Sequence, residues 1–280
     1  MTRIEVIRPG LLTTVQDRGR PGFAHLGVPP SGAVDANALE LGNRLAGNAP
    51  AAAALEATLD GPTLRFDGPA TVALTGARTP APHGVCLSFE RGDVLEVGRC
   101  LDGVRAYVCV RGGIDAEPTL GSRSTDLMTG LGPAPLRAGD VLTVGPEPER
   151  PASQQPARSP ELPAEPVLRV SLGPRDDWFV PAAAEALCSQ PWRVSASSNR
   201  VGVRLEGPPL ERARTGELLS EGLVTGALQV PSSGQPILLL HDHPTTGGYP
   251  VIAVVHSADL WLAGQLAPSQ RVRFALVAAT

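Results

Sequence analysis

Arg91-Gly92-Asp93-Val94-Leu95-Glu96-Val97-Gly98 is echoed further along the chain by Ala138-Gly139-Asp140-Val141-Leu142-Thr143-Val144-Gly145. Glycine takes up turn conformations closed to other residues, and an aspartate side chain bonds its own turn. Each copy therefore reads as a tight turn that delivers a short strand. Working outward, residues 3–7, 63–66, 70–74, 94–97, 105–110 and 141–144 have strand character, as do 168–171, 203–205, 237–240, 251–255 and 271–276. Helices are few. Residues 35–46 form one, with Val34, Ala38, Leu41 and Leu45 on a single stripe and Gly47-Asn48 as its stop. A short helix starts at Pro181, and another follows Ser257, a suitable N-cap. The pattern predicts a mainly β protein built from barrels or sandwiches.

Composition agrees. The 280 residues include 31 glycines and 29 prolines spread along the whole chain, as many short strands joined by turns require. The clearest break lies at 146–166, where seven prolines stand among Ala, Ser, Gln and charged residues without periodicity. It reads as a semi-rigid, exposed linker. The predicted organisation is an N-terminal β-rich lobe over 1–146, a linker over 147–166 and a C-terminal lobe over 167–280. Leu205-Glu206-Gly207-Pro208 resembles Leu59-Asp60-Gly61-Pro62, a hint that the halves are related.

Several function classes are disfavoured. A net charge of −4 and 4% aromatic residues provide neither a basic surface nor stacking platforms for nucleic acid. No apolar run reaches the length of a membrane span, and residues 1–10 lack the layout of a secretion signal. Cys86, Cys100, Cys109 and Cys188 show no CxxC spacing, so they read as free thiols in a reducing cytoplasm. All 24 basic residues are arginine. Without lysine the chain has no P-loop lysine, no Schiff base and no attachment point for biotin. It also carries no GxGxxG opening a helix and no GxSxG elbow.

Four constellations remain. Gln16-Asp17-Arg18-Gly19-Arg20-Pro21-Gly22 leads into Gly27-Val28-Pro29-Pro30-Ser31-Gly32, a glycine-rich turn whose guanidinium forks match a carboxylate or phosphate. The same residues equally suit an Asp-Arg pair that ties down a loop. Thr245-Thr246-Gly247-Gly248-Tyr249-Pro250 follows His241-Asp242-His243. Its consecutive glycines let backbone N–H groups converge on an anion, or make a hairpin-like link between 237–240 and 251–255. The His-x-His pair lacks a clear third ligand, so no metal is predicted. Gly121-Ser122-Arg123-Ser124-Thr125-Asp126, after Arg111-Gly112-Gly113, and the 198–208 stretch with Arg200 and Arg204 each set arginine among small polar residues. Surface ion pairing is the plain alternative for each. Asn43 and Asn48, at the helix end, suit capping.

Taken in order, these segments resemble one family. Thr14-Val15-Gln16-Asp17-Arg18-Gly19-Arg20, Val28-Pro29-Pro30-Ser31-Gly32-Ala33-Val34-Asp35, Gly47-Asn48 and Leu55-Glu56-Ala57-Thr58-Leu59-Asp60-Gly61-Pro62 carry the likeness in the first half. Gly121-Ser122-Arg123-Ser124-Thr125, Arg204-Leu205-Glu206-Gly207-Pro208, Gln229-Val230-Pro231, Gly234-Gln235-Pro236 and Thr246-Gly247-Gly248-Tyr249-Pro250 continue it. The family is the biotin-dependent carboxyltransferase or allophanate hydrolase subunit 2 family, which includes the regulator KipA and the C-type component of 5-oxoprolinase.

The resemblance implies cyclophilin-like β-barrel domains, the C-terminal lobe among them. It implies a partner of the allophanate hydrolase subunit 1, or KipI-like, type (the B-type component of 5-oxoprolinase), with an active site shared near the interface of the two. The activity it implies is ATP-dependent opening of 5-oxoproline to glutamate, completed by a protein of the 5-oxoprolinase A type. ATP would be bound by the complex. Carboxyl transfer from carboxybiotin, carried by another protein, to urea is the enzymatic alternative, and non-catalytic KipA-like regulation of a KipI-like partner is the other.

By the same resemblance, Asp17, Arg18, Arg20, Asp35 and Arg123 are the candidate catalytic residues. Gln16, Ser31, Asn48, Glu56, Arg204, Gln229, Thr246, Gly247, Gly248 and Tyr249 are candidates for binding a small anionic substrate. His243-Pro244 and Asn199 depart from the family's commoner residues, which bears on the substrate more than on the fold.

Overall fold

In a computed structural model, which describes residues 2–216 and 218–277, the chain divides into two compact units. One is Met1–Arg20 with Ser31–Glu161, and the other is Pro21–Pro30 with Leu162–Thr280. The segment Pro21–Pro30, read from sequence as part of the N-terminal lobe, thus groups with the second unit.

The first unit contains β1 (Arg3–Arg8), β2 (Leu12–Gln16), β3 (Ala54–Thr58), β4 (Thr63–Phe66), β5 (Ala70–Gly76), β6 (Cys86–Phe89), β7 (Val94–Glu96), β8 (Arg105–Val110), β9 (Ile114–Asp115) and β10 (Val141–Val144). They form two antiparallel five-stranded sheets, β7-β4-β1-β10-β9 and β2-β3-β8-β5-β6. Ile4, Val6, Leu64 and Phe66 of one sheet share a buried core with Leu55, Val72, Leu74 and Val108 of the other. This unit is therefore a sandwich.

The echoed Gly-Asp turns prove geometrically equivalent. Asp93 Oδ2 accepts from Glu90 N at 2.7 Å, and Asp140 Oδ2 accepts from Arg137 N at 2.7 Å. Gly92 N donates to Phe66 O at 2.8 Å, and Gly139 N donates to Val6 O at 2.8 Å. One turn lays β7 on β4 and the other lays β10 on β1, within the same sheet.

The helix α1 (Ala36–Ala46) begins at Asp35, whose carboxylate accepts from Ala38 N at 2.9 Å, and stops at Gly47 with φ +78°. Its stripe is buried as expected, with Val34, Ala38, Leu41 and Leu45 all under 8% exposed. It lies on the outer face of β5 and β8, where Thr75 Oγ1 donates to Ala38 O at 2.7 Å. A side chain at Gly42 would meet Cys109 Sγ at 2.5 Å, so this contact depends on glycine.

The proline-rich stretch has no strand or helix, yet it is laid along the first unit as far as Glu161. Arg111 explains this. Its guanidinium donates to Ala46 O, Pro148 O and Arg150 O at 3.0, 2.7 and 2.6 Å, and pairs with Glu147 at 3.0 Å. Ser153 N also donates to Leu45 O at 2.7 Å.

The second unit holds β11 (Val167–Leu172), α2 (Ala183–Ser189), β12 (Trp192–Val194), β13 (Gly202–Glu206), β14 (Glu221–Gly222), β15 (Ala227–Gln229), β16 (Ile237–Leu239), β17 (Thr246–Gly247), β18 (Val251–Val255), α3 (Leu260–Gly264) and β19 (Arg271–Leu276). Seven of these strands close a barrel in the order β11-β18-β15-β16-β13-β12-β19, and the parallel pair β11 and β19 completes it. A mainly β fold with a barrel and few short helices is thus as expected. The expected hairpin of 237–240 with 251–255 is not: β16 and β18 flank β15, each pairing with it. Ser257 is not an N-cap either. It begins a short 3-10 turn, Ser257–Asp259, preceded by His256 and without a side-chain cap. Asp259 there receives two bonds from the Arg169 guanidinium, at 2.6 and 2.9 Å. Among the described residues, no helix is long and apolar enough to cross a membrane.

Candidate functional site

In the first unit, the end of β2 organises a loop cluster around Asp17. Its Oδ1 accepts from Gly19 N at 2.7 Å and from the hydroxyls of Ser122 and Ser124, both at 2.6 Å. Its Oδ2 accepts from Arg123 N at 2.6 Å. Four donors thus hold one carboxylate, which fixes the 17–19 turn against the 122–124 turn. The aspartate does tie a loop down, but through serines and main chain rather than an arginine side chain.

Gln16 is buried beside it, and its Nε2 donates to Thr14 Oγ1 and to Thr125 O, each at 3.0 Å. Arg20 is 1% exposed, with Nε donating to Thr119 O at 3.2 Å and Nη2 donating to Ser124 O. Arg18 points the other way. It pairs with Glu40 at 2.7 Å on the surface. Arg123 is half exposed, its Nη2 standing 3.6 Å from Asp115 Oδ1. Of the three arginines, Arg123 has the most loosely held guanidinium, on the most firmly held peptide.

Ser31 sits with φ +50°, buried, and its Oγ has no partner among the described residues. Gly32, at φ +88°, packs so closely that a Cβ there would come within 2.7 Å of Gly19 N.

Asp35 and Glu56 belong to a second, fully buried network. Glu56 Oε2 accepts from Tyr107 Oη at 2.7 Å and from Val34 N at 3.0 Å, and Oε1 lies 3.4 Å from Arg105 Nε. Tyr107 Oη in turn accepts from Asp35 N at 2.8 Å. Burial, then the Glu56 and Asp35 charges, hold the Tyr107 phenol well above its ordinary value. This network seats the start of α1 on the sheet.

Asn48 lies at the other end of that helix. Its Nδ2 donates to Val110 O at 2.7 Å and to Asn43 Oδ1 at 3.0 Å, and its Oδ1 accepts from Gly112 N at 2.8 Å. Every polar atom of its amide group is engaged in holding the helix end.

In the second unit, Gln229, Gly247 and Tyr249 come together. Gln229 Nε2 donates to Tyr249 O at 3.1 Å. A Cβ on Gly247 would stand 2.8 Å from Leu223 Cδ1 and 2.9 Å from Gln229 Nε2. Thr246 and Gly247 are strand residues paired with Gly222 and Glu221, and neither Gly247 nor Gly248 has positive φ. The glycines therefore serve close packing, and their ladder differs from the converging anion nest that the sequence suggested. Arg204 is exposed on β13, which pairs with β12 and β16.

The half-exposed Tyr249 ring borders a cavity of about 810 Å³ shared with Arg212, Arg214, Ser232 and Ser233. Arg212 Nη2 donates to Val230 O. Arg214 pairs with Asp177 at 2.5 Å and lies over the Trp178 ring at 5.8 Å.

Sequence reasoning missed Ser122 and Ser124, which stand inside a quoted motif, and missed Tyr107, Arg105 and the Arg200–Asp242 pair. That pair is 1% and 0% exposed and bidentate, at 2.9 and 3.0 Å. The four cysteines are free, and burial pushes the Cys100 thiol up to about 11. Among the described residues, no group of three or more His, Cys, Asp or Glu could hold a metal ion.

Two layers of likeness follow from this architecture. A family model, the carboxyltransferase domain with subdomains A and B, matches residues 26–276, and the chain belongs to that family. The C-type component of 5-oxoprolinase from Escherichia coli is 40% identical over 281 residues, which cover 97% of this chain and 90% of that protein. The urea amidolyase of Lachancea kluyveri is 36% identical over 307 residues, 96% of this chain but 17% of that enzyme. The crystal structure of the K. lactis urea amidolyase superposes with a TM-score of 0.93 at 33% identity, over 99% of this chain and 19% of that one. The chain therefore spans under a fifth of each of these urea amidolyases and nearly the whole of the bacterial protein.

Proposed function

We propose that this chain is the C-type component of an ATP-dependent 5-oxoprolinase, opening 5-oxoproline to L-glutamate in a cytoplasmic complex. Its partners would be an allophanate hydrolase subunit 1-type, KipI-like protein and an A-type 5-oxoprolinase protein. One observation carries the reading: 40% identity to a C-type 5-oxoprolinase component extends over 90% of that protein.

The chemistry suits what the chain offers. Transfer of the γ-phosphoryl group of ATP to the lactam oxygen releases ADP and activates the ring carbon. Water then adds at that carbon, the C–N bond opens, and phosphate leaves. Charge builds on oxygen throughout, and preorganised guanidinium donors stabilise it. Arg123 is the residue in this chain best suited to that role, because Asp17 fixes its peptide while its guanidinium stays half exposed. Arg18 would have to leave Glu40 to contribute, and Arg20 acts by bracing the 119–124 turn. The chain has no lysine for nucleotide phosphates, so ATP is assigned to the complex rather than to a residue here.

The second reading is a carboxyltransferase component working on urea, favoured by the TM-score of 0.93 to a urea amidolyase. Its biotin would be carried by another protein. Reconstitution separates the two. The first reading expects ATP-dependent glutamate formation from 5-oxoproline when this chain joins its co-purifying partners. Turnover of urea only with a biotinylated carrier would overturn it. Arg123→Ala is expected to abolish turnover with the fold intact, and Arg18→Ala to reduce it less, since Arg18 is held by Glu40. A thermal midpoint lowered by several degrees in Arg123→Ala would return that residue to a structural role.

A further inference from the structure

The second unit carries a small pocket, separate from the Tyr249 cavity in its lining, with a volume of about 220 Å³. Pro21, Val28, Pro30, Leu223 and Val224 give it apolar walls, and its polar lining comes from His243, Thr225 and Thr245. No cation lines it.

His243 is 3% exposed. Its position is set from both sides, since His243 N donates to Leu240 O at 3.2 Å and the preceding Asp242 is locked to Arg200. Its Nδ1 lies 2.7 Å from Pro244 O. A carbonyl oxygen only accepts, so Nδ1 carries the proton and Nε2 holds a lone pair. Among the described residues nothing donates to that lone pair. Burial lowers the imidazole pKa below its ordinary value and keeps the ring neutral at neutral pH.

We propose that this pocket is a binding site for a small uncharged amide, whose N–H is accepted by His243 Nε2 and whose carbonyl accepts from a threonine hydroxyl. The reasoning is one of complementarity. A neutral acceptor in an apolar setting favours an N–H donor and repels a carboxylate, which would bring a second lone pair and an uncompensated charge. Thr225 and Thr245 provide the matching donor. The volume lies below the range of ordinary ligand clefts, so the ligand is compact. None of the residues lining this pocket is among those assigned above to the proposed reaction, and its polarity is opposite to that of an anion site.

The test uses the full chain and two probes of nearly equal shape, 2-pyrrolidinone and 1-methyl-2-pyrrolidinone, which lacks the N–H. Binding is followed by NMR titration of the His243 ring proton, identified by its loss in His243→Phe. The N–H probe is expected to shift that resonance saturably and to bind about tenfold more tightly than the methylated one, the worth of one neutral hydrogen bond. His243→Phe should abolish the preference, and His243→Gln, which keeps an acceptor, should retain most of it. Equal affinity of the two probes for the unmodified chain, or no saturable shift with either, would overturn the proposal without reference to any variant's folding.

Discussion

Asp17 and Ser124 are bonded to each other twice: Ser124 Oγ donates to Asp17 Oδ1 at 2.6 Å and accepts from Asp17 N at 3.0 Å. With Ser122 Oγ and the Arg123 and Gly19 peptides also on the carboxylate, truncation would strand several donors at once. Asp17→Ala should cost about 2–4 kcal/mol of stability, measured by denaturant unfolding. Ser124→Ala should cost less, since it removes one partner only. A fully stable Asp17→Ala protein lacking activity would show instead that the carboxylate works on substrate.

Tyr107 provides a pH signature. Its folded-state pKa is raised, chiefly by burial and then by Glu56 and Asp35. An acid with a raised folded pKa keeps its proton in the native state while the unfolded chain loses it near the ordinary value of about 10. Its contribution is whole below that value and declines as pH rises beyond it. Stability should therefore fall from about pH 10 upward, more steeply than in Tyr107→Phe. In Tyr249→Phe, which leaves Tyr107 as the sole tyrosine, phenolate absorbance should appear only with unfolding.

The Arg200–Asp242 pair should behave as a buried couple. Removing one partner leaves a desolvated charge, so Asp242→Asn is expected to lose about 3–5 kcal/mol, with Arg200→Met/Asp242→Leu recovering part of the loss. A thermal melt of the three proteins checks this ordering. If the single variant were as stable as the parent, the pair would not be holding the 241–243 turn.

Gly32 and Gly247 separate two uses of glycine. Gly32→Ala faces both a positive φ and main-chain atoms that cannot move aside, whereas Gly247→Ala presses on the Leu223 and Gln229 side chains. The first should lower the melting temperature more than the second. The reverse order would mean that the 245–250 ladder is the stiffer of the two.

Much of this fold was legible from the chain itself. The Gly-Asp echo placed β7 and β10, and the spacing of Val34, Ala38, Leu41 and Leu45 with Gly47 placed α1. The strand β3 was not, because Ala54-Leu55-Glu56-Ala57 has helical composition and is a strand only through pairing with β2 and β8 on either side. β2 escaped for a different reason. Its Thr13, Thr14 and Gln16 are buried, so no polar face marks its period. Of the candidate residues, Asn48 was legible in its role, since its place just after Gly47 suits capping and its amide does hold the helix end. Most others were found as motifs without roles: nothing local tells that Val110 and Gly112 are what Asn48 holds, or that Asp35 and Glu56 meet through Tyr107, since each depends on a contact far away in sequence. Assigning 21–30 to the second unit likewise required long-range contacts.

The central claim is tested most directly by following glutamate and ADP together in the assembled complex supplied with 5-oxoproline and ATP. Both products are expected to rise in step, and both to vanish when this chain is withheld. Undiminished glutamate formation without the chain, or ATP consumption that responds to urea and a biotinylated carrier but not to 5-oxoproline, would contradict it.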